Sequence, residues 1–354
     1  MKYREIFRVE NLPVFQNKMF VDRASALSCP KGDVALVQDM GTGLVFNAAF
    51  DASLLEYDSD YQNEQACSAI FQRHLGDVEK IIRRHFEGKA LIEVGCGKGY
   101  FLEHLSSLGY QITGIDPAYE GDNPRVIKSR FEPGLGLSAE GILLRHVLEH
   151  MPDPLAFLSS IAETNAGKGL IYIEVPCFDW ICRNRAWFDI FYEHVNYFRM
   201  EDFYSLFGTV CEIGHIFGGQ YLYVVADLAT LRRPVLGLKS PVMLPADFLD
   251  NVNRLSAIAQ KRRSAIWGGA SKGVIFSLYM QRAGVDIDLV IDINSAKQNK
   301  FMAGSGLKVL SPQDGMGQLH AGDNVFVMNS VYLPEIIKMS NDLYSYLQVD
   351  VDEF

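Results

Sequence analysis

The segment FYEHVNYF, residues 191–198, places a glutamate and a histidine side by side among aromatic residues. Ionisable groups are costly to bury without partners, so Glu193 and His194 are unusual in this setting. An imidazole titrates near neutral pH and is suited to removing a proton from a reacting atom. Glu193 could orient that ring, and Tyr192 could donate a hydrogen bond to a developing negative charge. The segment predicts a general base, and the alternative is that Tyr192 and His194 only pack at a sheet edge.

A second histidine-containing string, HVLEHMPDP, has the pattern of a metal site. His146, Glu149 and His150 form HxxEH, which on a helix is typical of a class of zinc peptidases. Here the string follows a buried strand and meets Pro152 within a turn or so, which leaves little helix for two histidine ligands. We therefore predict that no metal is bound and that His150 makes local hydrogen bonds.

The string LIEVGCGKGYFLEHL combines a buried strand, three glycines and the start of a helix. Gly95, Gly97 and Gly99 let the backbone turn sharply and approach a ligand, and the helix N-terminus attracts negative charge. The spacing is GxGxG rather than the GxGxxG of dinucleotide enzymes, and Glu93 stands two residues before the first glycine. The next predicted strand ends at Asp116, whose carboxylate can accept hydrogen bonds from both hydroxyls of a ribose. These features predict a pocket for a ribose-containing cofactor.

These strings belong to a chain of 354 residues, a length typical of two or three domains. Because 48% of the residues are hydrophobic, a large core is available, and the net charge of −10 argues against binding to nucleic acid or to an anionic membrane. No apolar run approaches the ~20 residues that span a bilayer. The N-terminus has no apolar signal segment, and the six cysteines share no metal-ligand spacing. We expect a cytoplasmic protein that acts on a small molecule.

Composition and periodicity divide the chain into four parts. Residues 1–70 mix short β-like runs with turns and form a small N-terminal domain. In residues 71–228 buried strands alternate with helices, which is typical of a doubly wound sheet, and the last two strands form an antiparallel hairpin with a Gly-Gly turn. Residues 229–263 contain three prolines and a polar helix and form a linker. In residues 264–354 strands again alternate with helices, and these residues form a second α/β domain.

The glycine loop, the Tyr-Glu-His string before an aromatic pair, and the C-terminal segment IWGGASKG…VIDINSAKQNKFMAGSGLKVLSP resemble one family. It is the sugar C-methyltransferases of deoxysugar pathways, which depend on S-adenosylmethionine (SAM). The resemblance covers nearly the whole chain. It implies a class I SAM-methyltransferase sheet, a C-terminal Rossmann-like domain and SAM as the cofactor. It also implies a nucleotide-linked keto-sugar as the substrate, methylated at the carbon next to the ketone, and it allows a homodimer.

The resemblance also implies roles for single residues. It makes His194 the base that removes a proton beside the ketone and leaves an enolate to attack the methyl group of SAM. It places Tyr61, from the string YDSDYQNEQ, in the same pocket as Tyr192 and Glu193. The residues predicted to line the cofactor pocket are Glu93, Gly95, Gly97, Gly99, Asp116, Phe131 and His146.

The chain departs from the family pattern in two places. The family's N-terminal zinc domain has two CxxC pairs, whereas this chain has Phe7 and Glu10, and then Asp39 and Thr42, at the matching positions. We therefore predict a domain that has lost its zinc. In the hairpin, FGGQYL stands where the family tends to carry His-Gly-Gly-Ser-x-Arg. This loss of a cation leaves a different sugar, another carbonyl compound or an O-methyl acceptor as alternative substrates.

A second glycine loop, GGASKG at residues 268–273, resembles a dinucleotide loop, and Asp292 closes the next strand as a ligand of NAD ribose would. Alone it would indicate an oxidoreductase. Ala270 adds a methyl group where a pyrophosphate approaches the backbone, so we predict that NAD does not bind. We assign Lys272 to the diphosphate of the substrate, with a docking or dimerisation domain as the alternative. A non-catalytic protein that keeps both folds is the alternative to an enzyme.

Overall fold

The computed structural model describes residues 2–55, 68–236 and 241–351. Its elements form three units in chain order. The first unit contains β1 (Tyr3–Pro13), β2 (Met19–Phe20), α1 (Arg23–Leu27), β3 (Lys31–Asp39) and β4 (Val45–Asn47). The central unit contains α2 (Ala69–Phe86), β5 (Leu91–Val94), α3 (Tyr100–Ser107), β6 (Ile112–Ile115), β7 (Val126–Ile127), β8 (Gly141–Arg145), α4 (Pro154–Thr164), β9 (Leu170–Pro176), α5 (Phe178–Arg183), β10 (Asn196–Tyr197), α6 (Met200–Leu206), β11 (Val210–Ile216) and β12 (Tyr221–Asp227). The C-terminal unit contains α7 (Asp250–Ala259), β13 (Ser264–Trp267), α8 (Lys272–Arg282), β14 (Leu289–Ile291), β15 (Phe301–Met302), β16 (Val309–Leu310), α9 (Pro312–Met316), β17 (Asn324–Val327), α10 (Leu333–Met339) and β18 (Ser345–Gln348).

The central sheet has seven strands in the order β11-β12-β9-β8-β5-β6-β7. Strands β5 to β9 run parallel, and β12 is antiparallel to both of its neighbours. The middle strands are buried almost throughout because such a sheet is covered on both faces, which explains their unbroken apolar runs. The arrangement confirms the predicted doubly wound sheet with an antiparallel hairpin at one edge.

The C-terminal sheet has five parallel strands in the order β16-β14-β13-β17-β18. This is the Rossmann-like unit that the sequence predicts. Its outer strands β16 and β18 are not predicted, because they are short and only partly buried. Helix α7 is also shorter than the predicted polar helix, which spans about residues 246–263.

The N-terminal unit is built on an antiparallel sheet in the order β1-β3-β4-β10. Its last strand, β10, comes from the FYEHVNYF segment and therefore joins this unit to the central one. At the position of the second CxxC pair, Asp39 caps the turn by accepting the backbone N–H of Gly41 (2.6 Å) and of Thr42 (3.0 Å). Phe7 packs edge-on against Phe248 of the linker, with ring centroids 5.7 Å apart. A side-chain cap and apolar contacts thus stabilise the region that the resemblance aligns with a zinc domain.

The C-terminal unit packs directly against the other two. Trp187, which lies just before the FYEHVNYF segment, contacts two rings of α8, Phe276 at 5.8 Å and Tyr279 at 4.5 Å. Strand β15 pairs with β2 of the N-terminal unit. No helix in the described ranges is long and apolar enough to cross a membrane.

Candidate active site

The first glycine loop lies between β5 and α3, at the carboxyl edge of the central sheet. Gly95, Gly97 and Gly99 have φ angles of 74°, 54° and 80°, a region that favours glycine. A Cβ atom at Gly95 would collide with Val147, whereas one at Gly97 would face open space. The loop is therefore packed against the HVLEH string on one side and open to a ligand on the other.

Asp116 follows β6 and borders the same opening. Its Oδ2 accepts the N–H of Gly97 (2.8 Å), and its Oδ1 accepts the N–H of Ala118 (2.8 Å). These bonds fix the carboxylate, which is half-buried, and each oxygen keeps a lone pair for a further donor. Asp116 is thus placed to hold the two hydroxyls of a ribose.

Glu93 lies on β5 just before the loop and is almost fully buried. In the parts of the chain that the structure describes, its Oε2 has no hydrogen-bond partner. Burial raises the pKa of Glu93 to about 7, although the Arg145 guanidinium opposes this. A buried acid with one oxygen unpartnered in the described residues, beside an open glycine loop, suits a ligand that carries donors and positive charge. SAM has a ribose and two positive centres, so it fits Asp116, Glu93 and the loop.

Two further residues, Phe131 and His146, were predicted to line the cofactor pocket. Phe131 is buried in the same hydrophobic cluster as Ile115 of β6. His146 is half-buried, and its Nδ1 lies 3.4 Å from Oε1 of Glu149. Burial lowers the pKa of His146, but hydrogen bonds to Glu149 and Glu174 outweigh this effect and raise it to about 9. Contact of Phe131 or His146 with the cofactor stays a prediction.

A buried ionic network, which the sequence analysis missed, lies beside this pocket. Its centre is Glu174 of β9, which is fully buried and accepts hydrogen bonds from two histidines, His74 (2.9 Å) and His146 (3.1 Å). Tyr172 (2.8 Å) and Arg145 (3.3 Å) donate to its other oxygen. Burial raises the pKa of Glu174, but Arg145 and the histidines hold it well below its usual range. The sequence did contain a signal for this network, because Glu174 is the one acid in the apolar strand LIYIEVP.

The HVLEH string and the FYEHVNYF segment form one site. The Nδ1 of His150 donates to the carbonyl oxygen of Glu193 (2.8 Å). The N–H of Val195 donates to the carbonyl oxygen of Glu149 (2.8 Å), and the side chain of Asn196 donates to that of Met151 (2.6 Å). His150 therefore makes a hydrogen bond, as expected, but to a residue 43 positions away rather than a local one, and this bond holds the loop that carries His194.

His194 is 7% exposed and lies between aromatic rings. Its ring centroid is 4.0 Å from that of Phe191 and 5.1 Å from that of His150. Burial and then the neighbours His150, His146 and Lys272 lower the pKa of His194 well below its usual range. The ring is therefore neutral at neutral pH, with a lone pair on one nitrogen.

The structure corrects the role predicted for Tyr192. This side chain is fully buried, and its hydroxyl exchanges hydrogen bonds with the backbone of Asp51, accepting from the N–H (2.8 Å) and donating to the carbonyl (3.3 Å). Its ring packs directly on Gly32, where a Cβ would collide with it. Tyr192 therefore anchors the segment to the N-terminal unit, and its hydroxyl proton is donated to a backbone carbonyl. The other pocket tyrosine predicted, Tyr61, lies outside the described residues.

The structure also corrects the role predicted for Lys272. Its Nζ lies 3.1 Å from Oδ2 of Asp189, donates to Oε1 of Gln220 (2.7 Å) and sits 5.0 Å from the centre of the Trp180 ring. Lys272 thus joins the C-terminal unit to the central one rather than presenting a free charge to a diphosphate. Gln220, at the end of the hairpin turn, also bonds Asn329 (2.8 Å) beyond β17. The hairpin covers part of the edge where a dinucleotide would bind to such a sheet.

Comparison with known proteins shows that part of this chain is similar to methyltransferases. Residues 60–210 match the family described as a methyltransferase domain. The chain is 24% identical to the C-methyltransferase NovU of Streptomyces niveus over 293 residues, covering 71% of this chain and 69% of NovU. It is 30% identical to the ubiquinone biosynthesis O-methyltransferase of Caulobacter vibrioides over 113 residues, covering 27% of this chain and 44% of that protein.

Similarity to solved structures is weaker. The plantazolicin methyltransferase BpumL, in complex with SAH, is 16% identical with a TM-score of 0.36, covering 47% of this chain and 86% of that chain. A SAM dependent methyltransferase from Archaeoglobus fulgidus is 18% identical with a TM-score of 0.33, covering 45% and 100%. These TM-scores are too low to support any argument.

Three observations point to one class of protein: the order of the strands, the glycine loop with Asp116, and the match to a methyltransferase domain. The fold is that of a class I methyltransferase. The protein is a SAM-dependent methyltransferase, and SAM is its cofactor.

Proposed function

We propose that this methyltransferase adds a methyl group to the carbon next to the ketone of a nucleotide-linked keto-sugar. One observation carries the proposal: a neutral, nearly buried histidine, His194, is held at the carboxyl edge of the SAM-binding sheet by the HVLEH string. The similarity to a protein named as a C-methyltransferase, over 293 residues, supports carbon as the acceptor. The resemblance to the sugar C-methyltransferases supports the sugar.

The chemistry requires a base because a carbon next to a ketone becomes nucleophilic only when it loses a proton. His194 takes that proton: the carbon–hydrogen bond breaks, a nitrogen–hydrogen bond forms, and the electron pair remains as the enolate. SAM supplies the electrophilic methyl group. The carboxylate of Glu149, which lies with His150 and His194 in one cluster of ligand atoms within 4.8 Å, is placed to stabilise the imidazolium. Glu193 fixes His150, and Tyr61 stays our proposal for the donor to the enolate oxygen.

Methyl transfer to oxygen is the second candidate. The chain is 30% identical over 113 residues to the Caulobacter protein, which is named as an O-methyltransferase. That reaction removes a hydroxyl proton and forms no enolate. Nuclear magnetic resonance of the product distinguishes the two candidates. A C-methyl product loses the hydrogen beside the ketone, whereas an O-methyl product keeps it.

The test uses thymidine- and uridine-diphosphate-linked 4-keto-6-deoxyhexoses, with the corresponding 4-hydroxy sugars as controls. With SAH in place of SAM, the protein should exchange the hydrogen beside the ketone for deuterium from heavy water, because proton removal precedes methyl transfer. His194→Asn should reduce exchange and turnover by about 10²–10⁴-fold. His215→Asn, at an exposed histidine of β11, is the matched control and should leave both unchanged.

His194→Asn must bind SAH with the same affinity as the wild type. This control shows that a lower rate does not result from misfolding. A variant that exchanges and methylates at the wild-type rate would make His194 a packing residue. Methylation without any exchange in the wild type would instead favour the O-methyl reaction.

A further inference from the structure

His146 lies between two buried carboxylates that come from different segments of the central unit. Its Nε2 is 3.1 Å from Oε1 of Glu174 on β9, and its Nδ1 is 3.4 Å from Oε1 of Glu149 in the HVLEH string. Glu174 is fully buried and Glu149 is 1% exposed. Both nitrogens of the His146 ring therefore face a carboxylate oxygen.

This arrangement favours the charged form of the ring. A neutral imidazole has one N–H, so one of the two carboxylates would face a lone pair, whereas an imidazolium donates to both. Burial lowers the pKa of His146, but Glu149 and Glu174 outweigh this effect and raise it to about 9. Arg145 already donates to Glu174 (3.3 Å), so the two carboxylates are matched by two cations.

The backbone of His146 is held in a conformation that fixes this geometry. Its φ angle is 53°, in the left-handed region that few residues other than glycine adopt. Its N–H donates to the carbonyl oxygen of Glu174 (2.9 Å), so Glu174 holds both the backbone and the ring of the same residue. On another side, the ring of Tyr221 lies 4.5 Å from that of His146, centroid to centroid. Strained residues that their surroundings fix in this way cluster at functional sites.

Glu149 connects His146 to the proposed base. Its carboxylate lies within 4.8 Å of ring nitrogens of His150 and His194, and its Oε2 has no hydrogen-bond partner in the described ranges. The neutral His194 ring carries one N–H and gains a second, with a positive charge, when it takes a proton. A carboxylate held nearby stabilises that charge, and one that turns away does not. Whatever orients Glu149 therefore affects proton removal.

We propose that His146 is a positioning residue for proton removal: as a bridge between Glu174 and Glu149, it holds the Glu149 carboxylate toward His194. The inference rests on the proposed function, because it assigns a role in the step that His194 performs. No proton moves along the bridge. His146 keeps both of its N–H protons while His194 gains one proton and later loses it.

The test is a double-mutant cycle on the exchange of the hydrogen beside the ketone, with SAH bound and with the keto-sugar that the wild type exchanges faster. His146→Gln and Glu149→Gln should each slow exchange by about 10–100-fold, the effect of losing a hydrogen bond to a charged group. Because His146 acts through Glu149, the double variant should be slower than Glu149→Gln by no more than about twofold. Independent effects would instead multiply to about 10²–10⁴-fold.

Two further variants sharpen the cycle. His146→Asn should retain more activity than His146→Gln, because an asparagine amide matches the position of Nδ1, beside Glu149, and a glutamine amide that of Nε2. His215→Asn, at an exposed histidine, should exchange as the wild type does. All variants should bind SAH with wild-type affinity in calorimetry. Weaker SAH binding by His146→Gln, with wild-type exchange at saturating SAH, would make His146 a cofactor ligand and overturn the inference.

Nitrogen-15 magnetic resonance of the histidine rings gives a readout in the wild type that needs no substrate. It should show both ring nitrogens of His146 protonated at neutral pH, and a neutral His146 ring would overturn the inference. A wild type that exchanges no hydrogen would overturn the proposed function and this inference with it. A wild type that exchanges, with multiplicative losses in the cycle, would overturn the inference alone.

Discussion

Asp116 is a carboxylate that shapes the glycine loop and that we expect to bind the ribose as well. Each of its oxygens accepts one backbone N–H, from Gly97 and Ala118, and each keeps capacity for a ribose hydroxyl. The side chain therefore shapes the glycine loop before any cofactor arrives. Preorganisation of this kind removes part of the ordering cost of binding.

We predict that Asp116→Ala weakens SAH binding by roughly 1–3 kcal/mol, because buried ribose hydroxyls lose their acceptor and the loop loses a cap. Asp116→Asn keeps one oxygen, so its affinity for SAH should lie between that of Asp116→Ala and that of the wild type. Isothermal titration calorimetry measures both, with thermal unfolding as the check on folding. Unchanged affinity in Asp116→Ala would place the ribose elsewhere.

At the residue scale, sequence alone predicted what lies within one motif. The glycine loop, Asp116 and the setting of His194 all follow from local patterns. The role of Tyr192 was wrong because its partner, Asp51, lies 141 positions away and no local pattern records the pairing. The proximity of Glu149 to His194 was missed for the same reason, since Glu149 was weighed only within the HxxEH string and His194 lies in a different segment.

At the scale of elements, Glu212 links helix α2 to the edge hairpin. It accepts hydrogen bonds from Arg84 and His85 (2.6 Å) of α2, and from Tyr223 (2.7 Å) of β12. Burial raises the pKa of Glu212, but these three donors outweigh it and lower the pKa to about 2. The carboxylate is 25% exposed, so solvent screens part of this interaction.

We predict that Glu212→Gln lowers the free energy of unfolding by about 1 kcal/mol at neutral pH, a value reduced for that exposure. A folded-state pKa below the usual 4.5 stabilises the protein fully above pH 4.5, and this contribution is lost as the pH falls toward 2. The difference between variant and wild type should therefore shrink below pH 4.5 in urea unfolding. Glu87→Gln, at an exposed acid, is the control. A difference independent of pH would show that the carboxylate charge does not contribute.

The more fully a strand is buried, the more clearly its sequence predicted it. Strands β5, β8 and β9 are covered on both faces and carry apolar runs that identify them. Strands β7 and β16 have two residues each, too few for any periodicity to show. Strand β10 has two residues inside an aromatic string, and its partner β4 belongs to another unit.

At the scale of the whole molecule, Lys272 and Asp189 form a nearly buried ion pair across the junction of the central and C-terminal units. Lys272 is 15% exposed and Asp189 is 9% exposed. Asp189 lies two residues before the FYEHVNYF segment, so the C-terminal unit helps to fix the segment that carries His194. The sequence predicted the C-terminal fold but not this contact, which depends on how two sheets dock.

We predict that Lys272→Gln lowers the free energy of unfolding by about 3 kcal/mol, the low end for breaking a buried pair, because Asp189 is left without its cation. The double variant Lys272→Gln with Asp189→Asn should recover part of that loss. Denaturant unfolding of the single and double variants measures both effects. A loss below about 0.5 kcal/mol in Lys272→Gln would mean that the aromatic contacts alone hold the junction.

The antiparallel pairing of β2 with β15 has a consequence for synthesis on the ribosome. Residues 19–20 pair with residues 301–302, and the N-terminal sheet itself waits for β10 at residues 196–197. At the ~5–20 residues per second of translation, the first strands wait roughly 15–55 s for their last partner. The outer edge of β4 is open to wrong pairing until β10 emerges, and β2 has no partner strand until β15 emerges. The N-terminal unit therefore completes its strand pairing only when β15 has emerged, although its own strands β1 to β4 are made first.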